Sequence, residues 1–406
     1  MAIEGSAARP ANPPLGAVFC SPLRYVQGPG MSGQIAVQMR AVGLSGPVLV
    51  VAGNSAIARL APVWAEAFAE AGWTHRVRLC GGESSRREID ALAAEAAGLS
   101  ARVIVAAGGG KTLDAARAAA AARQIAFVSC PTVCSTDAPT SALSVIYADE
   151  GPGRGAVEAY EFHSRSPDLV LVDTLVIAES PPRYLAAGIG DALSTFYEAR
   201  AAVAAGRPNM RGGRSTLAAL ELARLCRDIV LEDGAAALAE CRARRCGTAL
   251  DRVVEAATLL SGLGFESAGL AAAHAVHNGL TAVPATHAML HGEKVAFGTL
   301  VQLALEARCA ADGATRAEAE DECRRVAAFL AGVGLPLTLS DLGVPEAEVP
   351  RRDAVALVAA RATTPGETIH NMPFAVDAAA VCEAIRAADA VGTVIARDRP
   401  AARARD

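Results

Sequence analysis

Through the first half of the chain, short β-branched runs alternate with longer alanine-rich stretches. Residues 48–51, 103–105, 125–128 and 168–173 are compact apolar runs that predict buried strands, and 56–71 and 111–123 have the spacing and length of helices. That order is the signature of βαβ units around a parallel sheet. Beyond Pro181-Pro182 the pattern changes: residues 183–389 hold long Ala/Leu-rich segments with helical spacing, broken at Gly234, Pro284, 332–336 and Pro365, and no convincing strand. We therefore expect a fold with an α/β N-terminal domain over residues 19–178 and an all-α C-terminal domain over 179–395. Residues 1–18 and 396–406, poor in patterned apolar positions, are expected to be loose tails.

Composition narrows the function. With 406 residues, 52% hydrophobic and 20% charged, the chain has the length for about two domains and enough apolar surface to bury. A net charge of −5, without a basic run interleaved with aromatics, argues against nucleic acid as a partner. The start of the chain lacks an apolar signal-peptide core, and no uncharged stretch of about 18 apolar residues occurs, so we expect a cytoplasmic protein with no membrane partner. Ten scattered cysteines fit reduced thiols; Cys130/Cys134 and Cys241/Cys246 each offer two zinc ligands where four are needed.

Three segments carry chemistry. Gly108-Gly109-Gly110-Lys111 falls where a strand feeds a helix, so backbone N–H groups and the helix N-terminus can receive a pyrophosphate; a plain tight turn would use the same glycines. The hydroxyl-rich run 131–144, with Asp137 in it, follows the next strand and faces the ligand crevice of an open α/β sheet. Four of the seven histidines, His274, His277, His287 and His291, fall within eighteen residues. His274 and His277 share one helix face, and imidazoles there, joined by a carboxylate such as Asp191, can converge on a divalent cation.

Together these segments resemble the glycerol dehydrogenase branch of the iron-containing alcohol dehydrogenase superfamily, over roughly residues 24–393. The resemblance lies in 108–114 (GGGKTLD), 135–147 (STDAPTSALSVIY), 167–174 (PDLVLVDT), 188–193 (GIGDAL), 264–267 (GFES), 273–279 (AHAVHNG), 291–298 (HGEKVAFG) and 367–374 (ETIHNMPF). It implies metal ligation by Asp191, His274 and His291, and contact between Asp137 and substrate hydroxyls. It also implies dinucleotide contacts from Gly110, Lys111, Thr112, Leu113 and Asp114, from Thr132 and Ser135, and from Ser141, Leu143 and Tyr147. The implied activity is hydride transfer between NAD and glycerol or a related vicinal diol, in a homo-oligomer. His277, a neutral imidazole beside these ligands, is suited to relay the proton.

Two departures from the family pattern matter. Thr195 stands four residues beyond Asp191, where the iron-type branch places a further histidine, so three ligands favour zinc over iron. Gly53 stands where an acidic residue would hold the adenosine ribose, which leaves NADP open beside NAD. Competing readings are a dehydrogenase of another polyol, a keto-sugar or glycerol 1-phosphate, a dehydroquinate synthase-like lyase using bound NAD, and a non-catalytic nucleotide-binding module.

Overall fold

The computed structural model describes residues 16–149 and 157–397. Of the tail expected at 396–406, Ala396 and Arg397 instead end the last helix and the rest lies outside those residues, as does most of the N-terminal one. Where description begins, Ala17 already pairs with Arg214, so this segment is seated on the helical half.

The N-terminal half runs β1 (Tyr25–Gly28), α1 (Ile35–Ala41), β2 (Val48–Ala52), α2 (Asn54–Glu70), β3 (His75–Leu79), α3 (Arg86–Gly98), β4 (Val103–Gly108), α4 (Gly110–Arg123) and β5 (Ala126–Pro131). A hairpin of β6 (Leu143–Tyr147) and β7 (Val157–Phe162) follows, then β8 (Leu169–Asp173) and the short α5 (Thr174–Ala178). Six strands form one all-parallel sheet in the order β1-β8-β5-β4-β2-β3. Alternation along the strands divides the core. Val48, Val50, Val103 and Val105 pack with α1 and α2, whereas Leu49, Val51, Ile104 and Ala106 pack with α3 and α4. The result is a three-layer sandwich.

The chain leaves β2 outward to β3 and returns on its other side as β4. The carboxyl ends of β2 and β4 are therefore neighbours at the point where strand order reverses, with the Gly53 amide on the Ala107 carbonyl at 3.3 Å. Ligand crevices of open α/β sheets form at such points.

The second half is helical among the described residues: α6 (Pro182–Ala204), α7 (Leu217–Arg242), α8 (Thr248–Glu255), α9 (Ser261–Ala268), α10 (Ala272–Thr281), α11 (His291–Arg308), α12 (Gly313–Gly332), α13 (Glu348–Ala362) and α14 (Ala378–Arg397). A π turn at Ala256–Leu260 joins α8 to α9. Its core centres on α6, α7, α10 and α11 and reaches the sheet through Val170 and Val172 and the loop after β5 through Cys134. Among the described residues, no single helix is long and apolar enough to cross a membrane. All ten cysteines are free.

Candidate functional site

The site lies where α6, α10 and α11 meet the loop after β5. Helix α6 reaches both neighbours through glycine. A Cβ at Gly188 would overlap the Cys134 carbonyl of that loop, one at Gly190 would come to 2.7 Å from the Gly292 carbonyl, and one at Gly292 would overlap the Ala187 carbonyl. Only absent side chains allow main chain to approach this closely. The Gly188-Ile189-Gly190-Asp191 sequence thus places Asp191 under the loop and beside the first turn of α11.

Asp191 is fully buried. Its Oδ1 lies 3.2 Å from His291 Nε2 and 3.6 Å from His274 Nε2, and one atom from each residue fits within a 4.8 Å cluster. Oδ1 has no hydrogen-bond partner, whereas Oδ2 accepts from the Asp137 amide at 3.1 Å. Burial works against the Asp191 carboxylate, but His291 and His274 outweigh it and hold its pKa well below the usual range. Two imidazoles aimed at an unsatisfied buried carboxylate oxygen form a donor set that fits a divalent cation.

Sequence reasoning missed Glu198. It is completely buried on α6, and its carboxylate accepts from His274 Nδ1 at 2.5 Å and from the Ala271 and His274 amides at 2.9 and 3.0 Å. A carboxylate on Nδ1 fixes the imidazole with Nε2 toward Asp191. Burial lowers the His274 pKa, but Glu198 and then Asp191 raise it overall well above the ordinary histidine value. A signal was present: residues 191, 195 and 198 follow i, i+4, i+7 spacing and share one helix face.

Thr195 occupies the place between them. Its hydroxyl pairs with Ser261 at 2.7 Å, and Ser261 donates to Asp137 Oδ2 at 2.9 Å. Its methyl packs against Gly264, where an added Cβ would lie 2.7 Å away. That packing leaves little room for an imidazole, and the position serves Asp137. Burial, reinforced by the adjacent Asp191, pushes the Asp137 pKa well above the usual carboxylate range.

His277 stacks near His291, with ring centroids 4.1 Å apart, and its Nδ1 meets Asn278 Oδ1 at 3.1 Å. Burial, then the charges of His291 and Lys294, lower its pKa well below the ordinary value and keep it neutral. His287 is outside the cluster: it is exposed and pairs with the Thr281 carbonyl. Neither cysteine pair belongs to a metal-competent group among the described residues.

On the sheet side, Gly108 ends β4, and Gly109 caps α4 without a side-chain hydrogen bond to the helix's first amides. Gly110 and Thr112 are partly exposed there, and Thr132 and Ser135 are partly exposed in the loop facing them. Lys111 is drawn to Glu83 at 2.8 Å and over the Tyr147 ring at 5.2 Å. Leu113 belongs to the core under the turn. The Asp114 carboxylate is engaged inward by Arg117 at 2.6 Å and the Val145 amide at 3.2 Å. Buried Arg117, another residue without a sequence signal, also donates to the Ala138 and Leu143 carbonyls. It thereby clamps the segment bearing Asp137, Ser141 and Leu143, while Glu266 takes the Ala142 amide at 2.9 Å.

Known proteins place this architecture. The sequence profile described as iron-containing alcohol dehydrogenase matches residues 22–174. A glycerol dehydrogenase of Pseudomonas putida is 44% identical over 92% of this chain and 97% of its own length. A glycolaldehyde reductase of Halobacterium salinarum is 42% identical over 94% of this chain and 99% of its own. The crystal structure of a glycerol dehydrogenase from Schizosaccharomyces pombe superposes with a TM-score of 0.86 at 34% identity, covering 94% of this chain and 93% of that one. With a parallel sheet, a helical half and an Asp/His/His corner between them, the chain belongs to the iron-containing alcohol dehydrogenase family.

Proposed function

We propose that the protein oxidises glycerol or a closely related vicinal diol to the corresponding hydroxyketone, with NAD as hydride acceptor and zinc held by Asp191, His274 and His291. The observation that carries this reading is the Asp191 Oδ1 atom, buried and without a donor, facing the Nε2 atoms of two histidines. Three ligands and an open position suit zinc, and Thr195 adds no fourth. A zinc ion held there would supply Lewis acidity toward an alcohol group, and a bound nicotinamide would supply the hydride acceptor.

The chain's own side chains supply selectivity and proton movement. Asp137, oriented by Ser261 and Thr195, is a hydrogen-bonding group for the second hydroxyl of a diol beside the metal ligands. A simple alcohol would forgo that additional hydrogen bond, which disfavours it. His277 donates from Nδ1 to Asn278, so its neutral Nε2 can accept the proton released by the alcohol. The glycine turn and the N-terminus of α4 would hold the diphosphate of the dinucleotide. Gly53 lies at φ −76°, where any residue fits, and a Cβ there would meet nothing within 4 Å. Neither backbone nor packing requires glycine, so the adenosine ribose lacks an acidic partner and NADP is accepted alongside NAD.

The Halobacterium relative favours a second reading at the same site: reduction of a small hydroxyaldehyde. One panel tests both. Initial rates are measured for glycerol, propane-1,2-diol, dihydroxyacetone and glycolaldehyde with NAD(H) and NADP(H), with metal analysis of the same sample. Glycerol as the preferred oxidised substrate, with one zinc per chain, supports the first reading; a preference for glycolaldehyde reduction supports the second. No turnover of any of them by metal-replete protein defeats both.

A further inference from the structure

Lys294 lies one turn beyond His291 on α11. The i+3 spacing puts it on the ligand-bearing face. Only 8% of the residue is exposed, yet its ammonium has no hydrogen-bond or ion-pair partner among the described residues. Its neighbour Glu293 is committed elsewhere, to Arg183 at 2.6 and 2.7 Å and to the Leu290 amide at 2.7 Å. An unpaired, largely desolvated charge is costly, and a methionine would fill comparable space without that penalty. Burial, then the nearby Lys111, bring the Lys294 pKa down to about 8, so the ammonium is still the main form at neutral pH.

The position of the charge indicates its use. Lys294 is within electrostatic range of Lys111, which opens α4 at the glycine turn, and of His277 in the imidazole wall. The other cations bordering the turn are occupied: Lys111 by Glu83 and the Tyr147 ring, and Arg117 by Asp114 and two carbonyls. Glycerol is uncharged, so in the function proposed above only the dinucleotide brings fixed negative charge into this cleft.

We propose that Lys294 is the helical domain's contact to the diphosphate bridge of the dinucleotide, opposite the backbone amides of the glycine turn. The inference rests on the dinucleotide reading above. It makes the cofactor a clasp between two domains, with one phosphate surface on main-chain N–H groups and the other on a single side chain. A charge-assisted hydrogen bond of this kind is short and strong, and the bound anion compensates the buried ammonium.

The test is a binding titration of the zinc-loaded enzyme with NADH, with ADP-ribose, which keeps the diphosphate but lacks nicotinamide, and with adenosine. Lys294→Met is expected to weaken NADH and ADP-ribose alike by about 10- to 100-fold, with adenosine unchanged. Lys294→Arg should recover most of the loss. Zinc content should stay at the wild-type value, and Tm should not fall, because the methionine removes an unpaired charge; a merely structural lysine would lower Tm and leave ADP-ribose affinity alone. Wild-type affinity for ADP-ribose in Lys294→Met overturns the proposal. So does a loss confined to glycerol 1-phosphate used as a competing ligand, which would assign the anion to a substrate. If the wild type bound NADH normally in either case, the dinucleotide reading would stand; failure of the wild type to bind NADH or ADP-ribose would remove both.

Discussion

On the helical side of the cleft, two of the three candidate ligands and the adjacent Asp137 are each tied to a second group. Asp191 holds the Asp137 amide, His274 is gripped at Nδ1 by Glu198, and Asp137 is held by Ser261. On the sheet side, the candidate cofactor surface is mostly main chain: Gly109 caps α4 with no side-chain bond, and beyond Gly53 there is open space. The first surface is specified side chain by side chain within the core, whereas the second offers backbone donors that any phosphate can use. Substitutions should therefore be severe on the helical side and graded on the sheet side.

The largest effect should come from Asp191→Asn. Removing a charged ligand should abolish zinc retention and lower kcat/KM by about three orders of magnitude or more, as read by metal analysis and initial rates on one preparation. Full activity in a zinc-free Asp191→Asn protein would break the comparison outright. Glu198→Gln comes next: it leaves all three ligands in place but weakens the hold on His274, so zinc affinity measured by chelator competition should fall about 10- to 100-fold. An unchanged affinity would make Glu198 a packing residue.

On the sheet side, Gly53→Asp should leave zinc content alone and lower the ratio of kcat/KM for NADP over NAD by about tenfold, because a carboxylate there binds the ribose hydroxyl and repels a 2′-phosphate. A ratio that does not move would place the ribose elsewhere. The smallest effect is on pH dependence. The folded-state pKa of His274 in the metal-free protein is raised, so its stabilising contribution is complete below about pH 6.5 and is lost as pH rises through the folded value. Zinc must displace that proton, so its contribution grows with pH. The gap in Tm between zinc-loaded and metal-free protein should widen by roughly 2 °C per pH unit between pH 6 and 8; a constant gap would mean that His274 is already neutral without metal.

The sequence showed the central strands well, because β2, β4, β5 and β8 are covered on both faces and read as continuous apolar runs. It hid the edges. Strand β3, His75-Arg76-Val77-Arg78-Leu79, carries charges that pair with Glu88 and Glu95 of α3, and β1 is four half-buried residues held by β8. Two of those residues reach the helical half, Tyr25 to Thr258 at 2.8 Å and Gln27 to the Asp251 carbonyl at 2.8 Å, which no local pattern announces. Asp191, His274 and His291 stood out because polar residues are conspicuous in apolar helices and the histidines cluster. Glu198 and Arg117 are just as buried, but His274 lies 76 residues from Glu198 and the Leu143 carbonyl 26 residues from Arg117, so these roles emerge only after folding.

At the crossing of α6 and α11, Gly190 and Gly292 bring main chain against main chain one residue from Asp191 and His291. Main-chain atoms have no rotamers to change. The two backbones that carry those candidate ligands therefore sit like the fixed jaws of a caliper, and any adjustment to a cation of different radius falls to side-chain torsions alone. The span between the jaws is set by two missing methyl groups.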